Sequence, residues 1–286
     1  MEASNNAADS ARTARDVAMS NWSTETILET LASLDGAAVT DEVLEISTAD
    51  YRLLRYPEWL LSPTLPVAQV IWSSTSRPFA EVFDEIASAV RRWGLDAVHW
   101  WVTSATRPLD TETYLLARGG VLSDSIQILA RELSAETAQG VTSQDVQIEL
   151  VCDERSLRAA MDVEIHGWGR SSLDEEEVGQ RLAEVLQNLE TATCFQFVAF
   201  IEGKPVSTGC CRIAGEVGRL YGAVTLPEFR LRGAYQAILS ARLRQIRDLG
   251  ATIALTRGRP LTSGRILTKS GFTVHGEERC YRLTVS

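Results

Sequence analysis

The stretch TLPEFRLRGAYQAIL, residues 225–239, joins the end of one apolar segment to the start of an amphipathic one, and it gathers Arg230, Arg232 and Gly233 at the junction. EVGRLYGAVTL before it reads as a strand. AYQAILSARLRQIRDLG after it repeats apolar residues at helical spacing and stops at Gly250. A helix that begins here presents N–H groups without intrahelical acceptors and a partial positive charge, which makes a natural anion site. Gly233 has no side chain to block approach to the backbone, and Arg230 and Arg232 offer charge-assisted hydrogen bonds to phosphate oxygens. Pro227 withholds a donor at the end of the strand, a place where neighbouring strands can part. The stretch makes physical sense as a strand that splays and then turns into a helix around a diphosphate. The plainer alternative is a generic strand–helix turn capped by glycine.

Charge is distributed in a way that fits an anionic ligand. The 286-residue chain carries a net charge of −10, yet residues 219–286 hold twelve Arg and Lys against four Asp and Glu, a local net of +8 that leaves −18 for the remainder. A basic segment inside an acidic chain points to a local anion more than to a broad DNA surface. Hydrophobic residues make up 45% of the chain, enough for a substantial core, and the length suits two domains. No apolar run approaches the roughly 20 residues that span a bilayer. Residues 1–21 are small and polar without an apolar centre, so they read as a flexible leader and not as a secretory signal. The five cysteines show no C-x-x-C spacing and the histidines number three, which argues against a disulfide framework or a metal site and for a reducing cytoplasm.

Both halves of the chain show the same order of elements. In the C-terminal half, TCFQFVAFIEGKPVSTGCCRIAG gives two strands joined at Gly203-Lys204, followed by the strand and helix described above. ATIALTR is then a short buried strand, LTSGRILTKSG a short helix and FTVHGEERCYRLTVS a closing strand or hairpin. In the N-terminal half FAEVFDEIASAVRRWG is a helix, LDAVHWWVT a buried strand, DTETYLLARGG a short helix and VLSDSIQILARELS a closing strand. Gly94 matches Gly250 and Gly119 matches Gly271, so the copies differ by four residues in one connection. This is a duplication and not a solenoid, which needs three or more units. The expected layout is a domain over residues 22–135, a polar linker over 136–145 and a second domain over 146–286.

With its strand ending in proline, its Arg230-Leu231-Arg232-Gly233-Ala234-Tyr235 turn and a later Gly271-Phe272 closing a short helix, the C-terminal half resembles the Gcn5-related N-acetyltransferase (GNAT) superfamily. The resemblance covers roughly residues 146–286. It implies an α/β (α+β) class with two GNAT-like domains, each a mixed, mostly antiparallel sheet flanked by helices, and splayed central strands in the C-terminal copy. It also implies acetyl-CoA as co-substrate without a metal, bound by main-chain groups of Ala223, Val224 and Thr225, by Arg230, Leu231, Arg232, Gly233, Ala234 and Tyr235, and by Ser263.

Three departures stand out. Tyr235 replaces the last Gly/Ala of the signature, Leu267 occupies the place of the family's frequent acid tyrosine, and Pro260 that of a nearby asparagine. The N-terminal copy departs further: its junction, IWSSTSRPFAEVF, lacks the glycine, has only Arg77 for charge, and loses an N–H at Pro78. It reads as a degenerate copy that no longer binds the cofactor.

The family mechanism is direct attack of a neutral amine on the thioester, so a base must take the amine's proton and a donor must meet the carbonyl oxygen. MDVEIHGWGRSSLDEEE, residues 161–177, lies where the family covers its acceptor. It supplies His166, and Glu164 if burial raises its pKa. Tyr221, on the strand before Pro227, can orient a water. Tyr235, Ser263 and Tyr281 are candidate acids. Plain readings stand beside these: His166 as a helix-end residue, Cys210 and Cys211 as packing residues, and the acids at 174–177 as a helix start. The expected function is N-acetylation of a small-molecule amine by a cytoplasmic monomer, with a dimer as the alternative. Another acyl donor, including an aminoacyl-tRNA, and a non-catalytic acyl-CoA-binding module remain open.

Overall fold

The structure is a computed structural model that describes residues 22–36, 43–57, 67–133 and 145–285. The leader expected at 1–21 and nearly all of the linker expected at 136–145 lie outside these residues. In chain order the elements are α1 (Thr24–Gly36), β1 (Leu44–Ser47), β2 (Tyr51–Arg55), β3 (Ala68–Ser73), α2 (Phe79–Arg92), β4 (Ala97–Val102), α3 (Thr111–Ala117) and β5 (Val121–Glu132). There follow β6 (Val146–Leu150), α4 (Glu154–Trp168), α5 (Glu175–Glu190), β7 (Cys194–Ile201), β8 (Lys204–Ala214), β9 (Val217–Thr225), α6 (Ala234–Asp248), β10 (Ile253–Gly258), α7 (Ser263–Lys269) and β11 (Thr273–Thr284). The order strand–helix–strand–helix–strand therefore occurs twice, as β3–α2–β4–α3–β5 and as β9–α6–β10–α7–β11. Among the described residues no helix is long and apolar enough to cross a membrane.

The eleven strands among the described residues form one mostly antiparallel sheet in the order β1-β2-β3-β4-β11-β5-β10-β9-β8-β7-β6. The sheets of the two halves are continuous because their closing strands are exchanged. β11, last in the chain, pairs with β4 of the first half, and β5 of the first half pairs with β10 of the second. β5 and β11 also pair with each other along most of their length, from Thr273↔Ala130 to Arg282↔Val121. The exchange gives each half a neighbour where it would otherwise end in an unpaired edge.

Helices cover both faces. On one, α6 places Ala234, Ala237, Ile238, Leu239, Leu243 and Ile246 against Phe195, Phe197, Ala199, Ile201 and Leu220. α6 can lie close to the sheet because β9 has glycine where the helix crosses it: a Cβ on Gly218 would sit 2.1 Å from Cδ1 of Ile246. On the opposite face α1 packs Ile27 and Leu31 against Ile253 and Leu255, while α4 and α5 cover Val198 and Phe200. Both α4 and α5 start at capping boxes, Asp153 with Ser156 and Asp174 with Glu177, which satisfy N–H groups that have no intrahelical acceptor. In the first half Trp100 is fully buried against Phe79 and Phe83, and its Nε1 donates to Ser73 Oγ at 3.0 Å.

Two predictions follow from this packing. Gly218→Val forces α6 away from the sheet and should cost about 1–3 kcal/mol, read as a lowered midpoint in denaturant with the slope unchanged. The second concerns the thiols. Burial pushes Cys211 up to about 12 and Cys280 up to about 11, and raises Cys210 further still. A thiol with a pKa near 11 is roughly one part in a thousand thiolate at pH 8. In the native protein a chromogenic disulfide reagent should therefore find exposed Cys152 quickly and the partly exposed Cys194 and Cys210 slowly, with Cys211 and Cys280 appearing only on unfolding. More than three reactive thiols without denaturant would contradict the packing.

Candidate functional site

The site is built where β9 loses one of its two neighbours. β9 pairs with β8 along nearly its whole length, from Ala214↔Val217 to Ser207↔Thr225. Its parallel pairing with β10 is confined to Val217↔Ile253, Gly218↔Ala254 and Arg219↔Leu255. Beyond this the strands part, and Thr256 Oγ1, donating to Leu220 O at 3.1 Å, marks the crotch. The cause lies in the sequence of β9. Gly222 has a φ of 57°, and two residues, Gly222 and Ala223, stand opposite the single Gly209 of β8. This is a β-bulge with a left-handed glycine, which bends and twists its strand. Main-chain groups of β9 from Tyr221 to Thr225 thus face an opening instead of a partner strand.

A buried arginine braces the bulge from behind. Arg242, on the otherwise apolar face of α6, is 2% exposed. Its Nη1 donates to Cys210 O at 3.3 Å and Tyr221 O at 3.4 Å, the carbonyls flanking the bulge, and its Nε donates to Ile238 O at 3.4 Å. Gly209 admits it, since a Cβ there would lie 3.2 Å from the guanidinium carbon. A charged residue at i+4 from Ile238 and i−4 from Ile246 is the signal in the sequence that identifies it.

After β9 the chain makes a 3-10 turn at Pro227–Phe229 and then runs through Leu231, at a φ of 65°, to Gly233, at 87°. Gly233 is the N-cap of α6 and no side chain caps the helix. The first N–H groups of α6 are therefore available to a ligand. A cleft of about 410 Å³ lies at this point, lined by Asp145, Ile201, Leu231, Arg232 and Gly233. Arg230 is exposed and makes no ion pair among the described residues, whereas Arg232 pairs with Glu202 at 2.8 Å and lies over the Phe229 ring. Ala234 is buried, and Tyr235 packs against the apolar cluster beneath the helix. Ser263 starts α7 beyond the end of β10, on the other lip of the opening, and its Oγ accepts from the Arg259 N–H at 2.9 Å. The site has uncapped main-chain donors at a helix start beside an open strand edge.

The residues sought for proton transfer sit on the sheet face covered by α4 and α5. Gly167 meets the opening directly: a Cβ on it would lie 2.6 Å from Val224 Cγ2, and Trp168 reaches within 3.8 Å of where a Cβ on Gly222 would be. Beside them His166 is exposed, with Nδ1 2.8 Å from Asp162 O and 3.2 Å from Asp162 Oδ1. Glu164 is 4% exposed and fully engaged, accepting from Arg170 at 3.0 Å, Arg181 at 3.2 Å and Gln196 Nε2 at 2.9 Å. Tyr221 OH lies 2.8 Å from Cys194 Sγ, and burial pushes its phenol well above the usual range. Tyr281 is not brought to this site. It belongs to the first-half core and bonds Glu112. Leu267 is 1% exposed in the apolar core and offers no proton.

The matching place in the first half is closed. β3 and β4 pair only at Gln69↔His99 and Val70↔Trp100 before parting, but the chain after β4 fills the gap. Arg107 N donates to Ser73 O at 3.1 Å and Thr75 N to Arg107 O at 3.2 Å. Arg77 is held by Asp50, Glu81 and Glu85.

No protein-family model and no curated protein matches the sequence. Solved structures do resemble it. A GCN5-related N-acetyltransferase from Sphaerobacter thermophilus superposes with a TM-score of 0.66 at 12% identity, over 90% of this chain and 85% of its own. A GCN5-related N-acetyltransferase from Kribbella flavida gives 0.59 at 17% identity over 91% and 94%. A tandem GNAT protein from the clavulanic acid biosynthesis pathway gives 0.58 at 12% over 82% and 78%. These likenesses run through both halves, and the parted strands, the bulge and the uncapped helix stand in the second. The chain therefore has the fold of the GCN5-related N-acetyltransferases.

Proposed function

We propose that this protein is an N-acetyltransferase that moves an acetyl group from acetyl-CoA to the primary amine of a small molecule, and that it works in the cytoplasm. The observation that carries the reading is the coincidence, within one stretch of chain, of an interrupted strand pairing and an uncapped helix start. The residues of the second half supply what such a donor requires. N–H groups of Gly233, Ala234 and Tyr235, with Arg230, would hold the diphosphate, and Leu231 and Arg232 shape the turn. Main-chain groups of Ala223, Val224 and Thr225 would hold the amide-bearing arm, and Ser263 keeps the opposite lip in place. When bound, the donor supplies an activated thioester. The first half, with its gap stitched by Arg107 and its Arg77 neutralised, is read as a scaffold that binds no donor.

The acceptor amine must lose a proton before or as it attacks. His166 fits that task. Asp162 O accepts from Nδ1–H, which leaves the Nε2 lone pair free to take a proton, directly or through water. Tyr221 stays protonated at neutral pH and serves as a donor to a bound water or to the oxygen that gains charge. Glu164, shared by two guanidiniums and the Gln196 amide, acts as the anchor that fixes the end of α4 against α5 and β7.

Calorimetry with acetyl-CoA tests this directly. The wild type should bind at micromolar Kd, Arg230→Ala should weaken binding about tenfold, and Gly233→Asp should abolish it while circular dichroism shows the fold intact. Release of free thiol on addition of an amine then separates a transferase from a binding module. A wild type that does not bind, or a Gly233→Asp variant that binds equally well, would overturn the proposal.

A further inference from the structure

The cleft at the start of α6 lies between two turns that meet through one ion pair. β7 and β8 pair down to Ile201↔Lys204, so Glu202 and Gly203 form a two-residue hairpin turn, with φ of 52° and 75°. Such a turn needs left-handed backbone at both central positions and is ordinarily built from asparagine or aspartate followed by glycine. Glutamate gains nothing from that conformation and bears the steric cost of its β-carbon. The carboxylate it brings there meets the cleft: Arg232 Nη2 donates to Glu202 Oε1 at 2.8 Å. Arg232 also lies over the Phe229 ring, and it lines the cavity of about 410 Å³ together with Asp145, Ile201, Leu231 and Gly233.

The ladder of β6 and β7 ends at Val146↔Ile201, which sets Asp145 beside the Glu202 turn. One side of the cleft therefore carries two carboxylates, and the other carries the guanidinium and the uncapped N–H groups of α6. Arg232, with Lys204 in support, holds the Glu202 carboxyl below the usual carboxylate range, so Glu202 is an anion throughout the neutral range. The pair is nonetheless a surface contact, with the Glu202 side chain 74% exposed and that of Arg232 43%. An exposed pair of this kind is weakly held. A diphosphate seated on the main-chain N–H groups offers the same guanidinium two adjacent charges.

We infer that Glu202 is an internal competitor of the donor: Arg232 is exchanged between the Glu202 carboxylate in the free protein and the diphosphate in the bound one. The inference rests on the reading of this cleft as the donor site, and it adds the group that restrains the affinity of that site. Lys204, which follows the turn, is placed to take the released carboxylate. A supporting contact and a competing one differ in sign. Loss of a contact that holds the turn in shape would weaken anion binding, whereas loss of a competitor leaves Arg232 to the ligand and tightens it.

Calorimetry on the full chain, with inorganic pyrophosphate and with acetyl-CoA at one ionic strength, tests the exchange. It compares the wild type, Glu202→Gln, Glu202→Asn, Arg232→Gln and the double variant Glu202→Gln/Arg232→Gln. Glu202→Asn removes the charge and supplies the residue that the turn favours, so it separates the charge from any loss of the hairpin. Both Glu202 variants should bind either ligand about two- to fivefold more tightly than the wild type. The double variant should bind no more tightly than Arg232→Gln alone. Unchanged or weaker binding in both Glu202 variants would overturn the inference. So would a gain that persists beside Arg232→Gln, because it would report only the removal of a nearby negative charge. A protein that binds pyrophosphate with the expected pattern but not acetyl-CoA would refute the donor reading and leave the exchange standing. Pyrophosphate that binds neither the wild type nor any variant would refute both.

Discussion

The structure turns on a strand that keeps one hydrogen-bonding partner and abandons the other. Buried peptide groups must be satisfied, so a strand in the middle of a sheet cannot leave its neighbour unless something compensates. Here the compensation is local and specific. Gly222 takes a left-handed conformation that bends β9, Gly209 clears room on β8, and Arg242 rises from the far face to bind the carbonyls beside the bulge. What remains unpaired on β9 is a short edge recessed inside the sheet, available to a ligand with amide groups and sheltered from other strands.

The exchange of closing strands explains how the sheet tolerates such a gap. Because β11 completes the first half and β5 completes the second, the centre of the sheet is held by the long ladder between these two strands. Parting β9 from β10 costs ladder bonds at one place in a sheet that is continuous on both sides of it. The first half shows the alternative fate of the same geometry. There the strands also diverge, but the loop after β4 supplies main-chain partners that close the gap.

Electrostatics separates the two halves again. Arg77 in the first is surrounded by three carboxylates, as expected for a charge retained for stability. In the second half Arg230 faces solvent at the helix start and makes no ion pair among the described residues. Positive charge that the described residues do not neutralise, placed at an uncapped helix start, suits an anionic ligand.

Much of this was legible in the residues alone. The strand–turn–helix order, the doubling of the pattern and the loop from Arg230 to Gly233 follow from apolar periodicity and from glycine and proline, because these are local properties of the chain. Gly222 inside a strand and Arg242 on an apolar helix face were passed over in the sequence, because a sequence does not say what such an anomaly compensates. The exchange of β5 and β11 was not legible, since both closing strands satisfy the same pattern wherever they pair. Nor was the state of Glu164, which is set by Arg170, Arg181 and Gln196 arriving from three different elements. Backbone geometry is encoded over a few residues and can be read in order; the environment of a side chain is decided by segments distant in sequence, and only the packed structure brings them together.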